Sequence, residues 1–340
     1  MEQTLKVCVY GATGYTGIEL LRYLTNHPHV RVVSAVSKTY AGRYISDLLP
    51  YFSHFYLSKL MLTEEPQEDF DLAFLCLPHD VSLSTAPSLL EKGKLVVDLS
   101  GAYRISDPNL YPEFYGFEHT HRELLQHAVY GLPEIFREII KRGRFVANPG
   151  CYPTAVLLGL YPFLKEGVSF DKVIVDAISG VSGAGRKTTQ HFHYPEMEQS
   201  IIAYSVHKHR HTPEMEDIIK RISGKHVKVR FTPKVVPTSR GMLATIYLHT
   251  EEKHVEELFW ETYKEERFVK VVKDPPTTKY VIGTNMCLLY PYYDERTQIA
   301  VIVSVIDNLG KGASSQAVQN MNLMLGFEES TGIETLALFP

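Results

Sequence analysis

The chain has 340 residues, of which 44% are hydrophobic and 22% are charged. At about 100–200 residues per domain this length favours two domains, and the average composition excludes wholesale disorder, collagen-like repeats and coiled coils. The 35 Lys and Arg residues nearly balance the 39 Asp and Glu residues, and the net charge of -4 gives no electrostatic reason to expect nucleic acid or an anionic membrane as partner. We therefore expect a small-molecule substrate.

The sequence carries no signal for export or for metal binding. Its N-terminus has no basic segment, and the apolar run at 155–164 is too short for the ~20 residues that a bilayer requires. The four cysteines, Cys8, Cys76, Cys151 and Cys287, contain no C-x-x-C pair, which argues against a disulfide framework or a zinc site. The sequence thus predicts a cytoplasmic protein with free thiols, no metal and no membrane partner.

The first part of the chain alternates short apolar runs with helical stretches. Strands are predicted at Leu5–Tyr10, Val30–Val36, 72–77 and 95–99, and helices near 16–26 and 82–92. Alternating strands and helices imply right-handed βαβ crossovers and a parallel sheet with helices on both faces. The predicted fold class of this part is α/β, with a doubly wound Rossmann-type sheet.

A turn cluster at 148–150 (NPG) separates this part from a second one with longer strands. Here the sequence predicts strands at 173–178, 227–236, 242–250 and 299–306, and helices near 154–165, 213–222 and 255–264. Several of these strands alternate polar and apolar residues, which is typical of a mixed or mostly antiparallel sheet. We predict a dinucleotide-binding domain at 1–148, completed by a C-terminal helix at 311–340, and a catalytic and dimerisation α+β domain at 149–310.

A glycine-rich loop follows the first strand directly. Gly11, Gly14 and Gly17 form the pattern G-x-x-G-x-x-G. This spacing lets the first glycine make a tight turn, the second admit a pyrophosphate close to the backbone, and the third let the next helix pack against the strand. The phosphates would then meet the amides and the positive dipole at the helix N-terminus. The same predicted cofactor site includes the loop residues Thr13, Tyr15 and Thr16.

The end of the second strand indicates which dinucleotide binds. An NAD-selective site places Asp or Glu there, about 20 residues after the loop, to hold the ribose 2′-hydroxyl. Here the strand runs into Ser37 and Lys38 instead. A hydroxyl and a cation without a carboxylate suit a 2′-phosphate, so we predict NADP(H). The alternative is that Lys38 is only a solvated loop charge.

Cys151 is the candidate nucleophile. It lies just before a helix that Pro153 is predicted to open, because proline is favoured at the first helical position. The positive end of a helix dipole favours the thiolate, which is the nucleophilic form of cysteine. Cys8, Cys76 and Cys287 lie in apolar runs and are predicted to be small core residues.

A histidine near the thiol would serve the proton transfers of thiolate chemistry near pH 7. Of the 15 histidines, His207, His209 and His211 stand just before 212–214 (TPE), which predicts an N-cap Thr, a first-turn Pro and a first-turn acid. A polar loop with solvated histidines is one alternative, and a metal site is another, although no cysteine or carboxylate stands at ligand spacing. We expect an acid/base group here that ionises near neutrality.

Seven ordered sequence blocks, spread over nearly the whole chain, resemble those of the N-acetyl-gamma-glutamyl-phosphate reductase family. The blocks are 11–17 (GATGYTG), 98–104 (DLSGAYR), 130–134 (YGLPE), 148–154 (NPGCYPT), 179–186 (SGVSGAGR), 209–214 (HRHTPE) and 306–312 (IDNLGKG). The resemblance implies a Rossmann-type domain joined to a dimerisation domain like that of aspartate-semialdehyde and glyceraldehyde-3-phosphate dehydrogenases. It also implies NADPH-dependent reduction of N-acetylglutamyl 5-phosphate to the 5-semialdehyde in arginine biosynthesis, by a homodimer or homotetramer.

The resemblance further implies roles for individual residues. Cys151 would be the nucleophile that forms a thioester, and His209, of the His209/His211 pair, would be the acid/base. The implied cofactor set adds Pro78, Ser182, Gly183 and Asn308 to the glycine loop. The substrate set comprises Asn148, a candidate oxyanion donor, with Arg104, Arg210 and His211. Arg186 and Arg240 are further candidates, because a guanidinium binds phosphate or carboxylate bidentately.

Two other functions stay open on the sequence alone. A close relative of the family reduces a carrier-bound aminoadipyl phosphate in lysine biosynthesis with the same cysteine, cofactor and fold. A carrier-bound substrate would favour a basic approach surface, which the basic run at 141–144 (KRGR) weakly indicates. A non-catalytic NADP-binding sensor would keep the glycine loop but would need neither a helix-terminal thiol nor a histidine cluster. The sequence therefore favours the N-acetylglutamyl phosphate reductase.

Overall fold

The computed structural model describes residues 4–170, 172–186 and 189–339, which divide into two units. The first unit comprises residues 4–108, 117–149 and 313–334, and the second comprises 109–116, 150–312 and 335–339. The division differs from the predicted one at four places: 109–116, 311–312 and 335–339 belong to the second unit, and Pro149 belongs to the first. The predicted domain limits at 1 and 340 lie outside the described residues.

The first unit contains a seven-stranded sheet in which all neighbouring strands are parallel. Its strands are β1 (Leu5–Tyr10), β2 (Val30–Val36), β3 (Leu62–Thr63), β4 (Leu72–Leu75), β5 (Leu95–Asp98), β6 (Val129–Tyr130) and β7 (Phe145–Ala147). They lie in the order β3-β2-β1-β4-β5-β7-β6. All of β4 and most of β1 are apolar and buried, as expected of strands covered on both faces. The predicted Rossmann-type fold class is confirmed.

The second unit contains a mixed seven-stranded sheet. Its strands are β8 (Lys172–Gly180), β9 (Ile202–Ala203), β10 (Lys228–Val236), β11 (Met242–His249), β12 (Val269–Val271), β13 (Cys287–Asp294) and β14 (Ile299–Ile306). They lie in the order β12-β13-β14-β11-β8-β10-β9, with β8/β10 and β12/β13 parallel and the other pairs antiparallel. Burial alternates along β8, β10 and β11, so one face of the sheet is buried and the other is more exposed. The predicted mixed sheet is confirmed.

The helices predicted near 16–26, 82–92, 154–165, 213–222 and 255–264 are present, and each begins and ends within three residues of those positions. The helices of the described residues are α1 (Tyr15–Thr25), α2 (Ile45–Leu48), α3 (His79–Glu91), α4 (Tyr111–Tyr115), α5 (Arg122–His127), α6 (Pro133–Ile140), α7 (Cys151–Lys165), α8 (Tyr194–Met197), α9 (His211–Ser223), α10 (Val255–Tyr263) and α11 (Ser315–Leu325). None of them is both long and apolar enough to cross a membrane.

The C-terminal helix is shorter than the predicted 311–340. A π-helical turn at Gly310–Ser314 precedes α11, and the helix ends at its C-cap residue, Gly326. Gly326 has a φ of 72°, in the left-handed region that favours glycine and commonly terminates helices. The predicted extent of this helix is therefore wrong, although its existence is confirmed.

Candidate active site

The glycine-rich loop after β1 makes the tight turn that its spacing predicts. Gly11 has a φ of 73°, and a Cβ on it would lie 2.1 Å from the Cys76 carbonyl oxygen. A Cβ on Gly17 would lie 2.4 Å from the Gly11 carbonyl oxygen. The Gly11 and Ala12 amides donate hydrogen bonds to the Val36 carbonyl oxygen at 2.9 and 3.1 Å. The loop therefore requires glycine at two positions and is tied to the end of β2.

A cavity of about 610 Å³, the loop cavity, lies at the carboxyl ends of β1, β2 and β4, where ligands bind in doubly wound sheets. Its lining includes the predicted cofactor residues Gly11, Thr13, Gly14, Ser37, Lys38 and Pro78. The predicted residues Tyr15, Thr16 and Gly17 form the first turn of α1 and are not in this lining. No side chain of the described residues caps α1, so its first amides suit an anion. This backbone cradle fits the pyrophosphate of a dinucleotide.

The loop cavity contains charges of both signs. Lys38 and Lys92 line it, and neither forms an ion pair with any described residue. Glu64 and Glu65 are also part of the lining. Ser37 is buried, and its Oγ lies 2.9 Å from the Thr13 Oγ1, which links the glycine loop to the end of β2. The predicted 2′-phosphate contact thus has an available cation, and sequence analysis missed Lys92.

Three predicted cofactor residues lie in the second unit, and they are Ser182, Gly183 and Asn308. The Asn308 Nδ2 donates a hydrogen bond to the Ser182 Oγ at 2.9 Å, and its Oδ1 accepts one from the Gly241 amide at 2.9 Å. A Cβ on Gly183 would lie 3.0 Å from the Ser179 Oγ. These contacts give Asn308 a role in joining two loops of the second unit, and the cofactor contacts of the three residues stay a prediction.

Cys151 is the first residue of α7, directly after the N-cap Gly150. The prediction that Pro153 opens this helix is wrong by two residues, and the thiol is accordingly nearer to the helix N-terminus, where the dipole favours a thiolate. The Gly150 amide donates a 2.8 Å hydrogen bond to the Oε1 of Glu214, which is fully buried. A Cβ on Gly312 would lie 2.9 Å from the Cys151 Cβ. Residues remote in sequence thus fix the position of Cys151.

The other three cysteines have different surroundings. Cys8 and Cys287 are fully buried, as expected of core residues, and burial raises the pKa of the Cys8 thiol above its usual range. Cys76 lies one residue beyond β4, which ends at Leu75 and not at the predicted 77, and it is half-buried in the lining of the loop cavity. Of the four cysteines, only Cys151 begins a helix.

His209 is enclosed by aromatic rings in the second unit. It is 8% exposed, and the centroid of its ring lies 5.1 Å from that of Phe231, 5.6 Å from that of Tyr204 and 5.9 Å from that of Tyr152. Its Nδ1 accepts a hydrogen bond from the His211 backbone amide at 3.1 Å. Because Nδ1 is an acceptor, the neutral ring carries its proton on Nε2.

This enclosure changes the protonation expected of His209. Burial, together with the positive charge of Arg210, lowers the pKa of His209 to about 3. This low pKa indicates a neutral ring at pH 7 and does not support the expected ionisation near neutrality for this residue. A neutral imidazole with its proton on Nε2 can donate a hydrogen bond to an oxyanion. The geometry thus supports the donor half of the predicted acid/base role.

The start of α9 separates the two histidines. The backbone of Arg210 is already helical, with φ of -58° and ψ of -23°, so α9 begins at His211 and the predicted N-cap Thr212 is wrong. His209 therefore precedes the helix, whereas His211 forms part of its first turn and is 5% exposed. The same first turn positions Glu214 to accept the hydrogen bond described above.

A second cavity, the thiol cavity, has a volume of about 400 Å³ and lies within the second unit. It brings together five of the predicted site residues, which are Cys151, Gly183, His209, Arg210 and His211. Sequence analysis missed several other lining residues, among them Phe114, Ser179, Tyr204 and Lys208. Lys208 lies between His207 and His209, and its positive charge is the sequence signal that could have identified it as a candidate site residue. Phe114 comes from a distant segment and carries no signal in the sequence.

Two predicted substrate residues of the first unit have backbone and side-chain partners there. The Arg104 Nε and Nη2 donate hydrogen bonds to the carbonyl oxygens of Asn148 and Leu99, both at 2.7 Å. The Asn148 Nδ2 donates to the Ala313 carbonyl oxygen at 3.1 Å, and its Oδ1 accepts from the Asn320 Nδ2 at 2.9 Å. Both side chains thus stabilise the fold of the first unit, and their geometry does not support the predicted substrate contacts.

The two further arginines are also outside the thiol cavity. The Arg240 Nη2 lies 2.7 Å from the Oδ2 of Asp307, which is fully buried. Arg186 is exposed and is not part of the lining. Of the predicted arginines, Arg210 is therefore the one that the structure places beside Cys151 in a cavity.

The neutral ring of His209 predicts a pH-dependent stability. In the unfolded chain a histidine binds its proton near its usual pKa of about 6.5, whereas the folded chain does not protonate His209 until about pH 3. This contribution to stability is complete above pH 6.5 and is lost progressively below it, by about 2 kcal/mol at pH 5. Urea denaturation should show a smaller loss of unfolding free energy between pH 7 and pH 5 for His209→Gln than for the unaltered protein. Equal losses would contradict the neutral assignment.

Two family models match the chain, one over each of its two main parts. Residues 6–143 match the family model described as "Semialdehyde dehydrogenase, NAD binding domain", and residues 151–308 match "Semialdehyde dehydrogenase, dimerisation domain". An N-acetyl-gamma-glutamyl-phosphate reductase of Aquifex aeolicus is 62% identical over 340 residues, which cover 100% of both chains. The chain belongs to the N-acetyl-gamma-glutamyl-phosphate reductase family. The resemblance seen in the sequence is confirmed.

A further member of the family matches the chain, and two solved structures have a similar fold. A reductase of that name from Dehalococcoides mccartyi is 44% identical and covers 98% of this chain and 99% of its own. Among solved structures, aspartate semialdehyde dehydrogenase II from Vibrio cholerae has a TM-score of 0.75 at 19% identity and covers 95% of this chain and 99% of its own. A probable aspartate-semialdehyde dehydrogenase from Pseudomonas aeruginosa has a TM-score of 0.73 at 19% identity. At these identities the solved structures show the fold.

Proposed function

We propose that the chain is an NADPH-dependent reductase that converts N-acetylglutamyl 5-phosphate to N-acetylglutamate 5-semialdehyde in the arginine pathway. The observation that carries this proposal is the thiol cavity, because its lining includes both Cys151, at a helix N-terminus, and a neutral His209. The 62% identity to a curated reductase supports the substrate. We assign NADPH binding to the first unit and thioester chemistry to the second. We place the enzyme in the cytoplasm, a compartment that keeps cysteines reduced, because the four cysteines form no disulfide.

The chemistry of the second unit begins with Cys151. Its thiolate attacks the acyl carbon, a C–S bond forms, the bond from carbon to the phosphate oxygen breaks, and phosphate leaves with the electron pair. The product is a thioester on Cys151. The helix dipole of α7 stabilises the thiolate before the attack and again when the C–S bond finally breaks. NADPH, when bound, supplies the hydride that reduces the thioester.

His209 acts on the oxygen of the reacting carbonyl. Both tetrahedral species along this path, before phosphate leaves and after reduction, carry negative charge on that oxygen. A hydrogen bond from the His209 Nε2 proton stabilises the charge, and it needs no ionisation of the ring. Collapse of the second species then gives the aldehyde and returns the Cys151 thiolate, so electrons and protons balance.

NADP(H) is assigned to the loop cavity. Gly11 and Gly14 would admit the pyrophosphate to the backbone and to the start of α1. Ser37 and Lys38 would hold the 2′-phosphate, since a hydroxyl and an unpaired ammonium both donate to it. The backbone leaves no room for a Cβ on Gly11 or Gly17, and the tight turn that these two glycines allow supports a dinucleotide here.

Replacing Lys38 by glutamate should shift the preference from NADP toward NAD. The carboxylate repels a 2′-phosphate and accepts a hydrogen bond from a 2′-hydroxyl, so kcat/KM should fall for NADP and rise for NAD. The matched control is Lys38→Met, which removes the cation without adding an acceptor and should lose NADP activity only. Equal use of both cofactors by the unaltered protein would contradict the assignment.

The function itself is tested in the reverse direction. The purified protein should reduce NADP when it is given N-acetylglutamate 5-semialdehyde together with inorganic phosphate, and omission of phosphate should stop steady turnover. Turnover with a carrier-bound aminoadipate semialdehyde and none with the N-acetylglutamate compound would instead identify the lysine-pathway reductase. NADP binding without turnover of either aldehyde would identify a sensor.

We infer that the second sheet pairs with a second copy of the chain, giving a homodimer or a homotetramer. The dimerisation-domain match supports an oligomer, and the more exposed face of the sheet carries a row of apolar side chains in register. Ile174, Tyr247 and Tyr292 in this row are 51%, 37% and 46% exposed. Apolar surface of this kind commonly marks a protein–protein interface.

Charges placed on this row should dissociate the oligomer. Ile174→Asp combined with Tyr292→Asp is expected to lower the sedimentation coefficient to that of a monomer, because burying two carboxylates in an interface is costly. Trp260→Asp on α10 is the control, since Trp260 is exposed and apolar but lies outside the row. Dissociation by the control alone would place the interface on α10.

A further inference from the structure

Residues 109–116 belong to the second unit, although the chain on both sides of them belongs to the first. They contain α4, and Phe114 from this helix is part of the lining of the thiol cavity. No motif in the sequence assigns a role to this segment. Its contacts within the second unit show what it does there.

The segment orients Lys208, which is another lining residue of the thiol cavity. The Lys208 Nζ lies 3.4 Å from the Glu113 Oε1 and 5.2 Å from the centroid of the Phe114 ring. A carboxylate and the face of an aromatic ring both attract an ammonium. The cation is thus drawn toward the wall that residues 109–116 form.

Arg210 follows His209 in the chain, whereas Lys208 precedes it. The Arg210 carbonyl oxygen accepts a 3.3 Å hydrogen bond from the Tyr115 hydroxyl, so the same segment also fixes the backbone here. Arg210 lines the same cavity as His209 and Cys151, so its positive charge acts within the thiol cavity. The thiol cavity therefore presents two cations. Arg210 follows His209 in the chain, and Lys208 lies at the wall that includes Phe114.

The proposed substrate has two anionic groups to match. Its phosphate is attached to the reacting acyl carbon, and its α-carboxylate stands at the other end of the carbon chain. With the acyl carbon at Cys151, the phosphate is assigned to Arg210, which lines the cavity next to His209. We propose that Lys208, oriented by Glu113 and Phe114, is the specificity-determining residue that binds the α-carboxylate. This assignment rests on the proposed function.

The ion pair with Glu113 leaves Lys208 able to bind a ligand. The two side chains are 46% and 57% exposed, so water screens their attraction and the pair is weak. An ammonium has three donors, of which Glu113 can occupy one. A carboxylate that enters the cavity displaces water and forms a charge-assisted hydrogen bond with another.

Two aldehydes that differ only in the α-carboxylate test this role. Phosphate-dependent reduction of NADP is measured with N-acetylglutamate 5-semialdehyde and with 4-acetamidobutanal, which lacks the carboxylate. In the unaltered protein kcat/KM should be about 10- to 100-fold higher for the first, as expected of one hydrogen bond to a charged group. Lys208→Met keeps the aliphatic stem and should remove this preference by raising KM for the first aldehyde. Its kcat/KM for the second aldehyde and its KM for phosphate should not change.

The matched control is Lys264→Met. Lys264 belongs to the same unit and pairs with Glu261 on the surface, outside the thiol cavity, so both aldehydes should react as in the unaltered protein. A Lys208→Met variant that loses activity equally with both aldehydes, or that needs more phosphate, would overturn the proposal by indicating a structural or phosphate-binding role. If the unaltered protein turns over neither aldehyde, the proposed function fails. Calorimetric binding of N-acetylglutamate, weaker by the same factor in Lys208→Met, still tests the carboxylate contact in that case.

Discussion

Replacing Cys151 by serine should lower kcat for N-acetylglutamyl 5-phosphate reduction by about 10³-fold or more. The serine hydroxyl occupies the same first position of α7 but is not ionised near neutral pH, so neither attack on the acyl phosphate nor expulsion from the tetrahedral species proceeds at a useful rate. NADP affinity should stay the same, because the loop cavity belongs to the first unit. Steady-state kinetics and equilibrium binding of NADP measure the two quantities.

Thiol labelling supplies the control for this prediction. Limited alkylation near neutral pH, followed by peptide mapping, should modify Cys151 before the fully buried Cys8 and Cys287. Cys287→Ala is the matched variant, since Cys287 belongs to the same unit as Cys151 but lines neither cavity, so its loss should leave kcat near that of the unaltered protein. First labelling at Cys76, or full activity in Cys151→Ser, would reject Cys151 as the nucleophile.

Replacing His209 by leucine should lower kcat by about 10²- to 10³-fold, the usual cost of removing one oxyanion donor, with little change in KM. His209→Gln keeps an N–H donor of similar reach and should lose less activity than His209→Leu. This difference follows from the neutral ring, whose Nε2 proton is the functional group. If His209 instead transferred a full proton, the glutamine and leucine variants would lose activity equally.

The neighbouring histidine and the pH profile check the same assignment. The His211 backbone amide orients the His209 ring, and His211 also lines the thiol cavity. His211→Asn retains the amide, so that variant should show a milder loss that acts partly through KM. Because the pKa of His209 is about 3, kcat/KM of the unaltered protein should show no ionisation of this ring between pH 5 and pH 8. An ionisation near pH 7 that disappears in His209→Gln would contradict the neutral assignment.

The parts of the site that local rules govern could be predicted from the sequence. Gly11 and Gly17 follow from the steric demands of a strand–turn–helix junction, and the structure leaves no room for a Cβ at either position. Cys151 follows from its place before a helix. The His209 region follows from the helix start signals at 212–214, although the helix begins earlier than those signals indicate.

The parts that depend on tertiary contacts could not be predicted. Nothing near Phe114 indicates that its segment joins the second unit. The guanidinium of Arg104 suggests an anion site, but two buried carbonyl oxygens use its donors. The protonation of His209 depends on aromatic rings that only the fold assembles around it. Burial and competition for hydrogen bonds are properties of the whole packed chain, so a residue type by itself does not determine them.

The contacts of Cys151 also determine when its reactivity can arise during synthesis. The residue leaves the ribosome well before Glu214, which holds the preceding turn, and long before Gly312, which closes against its Cβ. A nascent chain that ends between them has the thiol without its finished surroundings. The surroundings that the structure shows around the nucleophile are therefore complete only after residue 312 has been made.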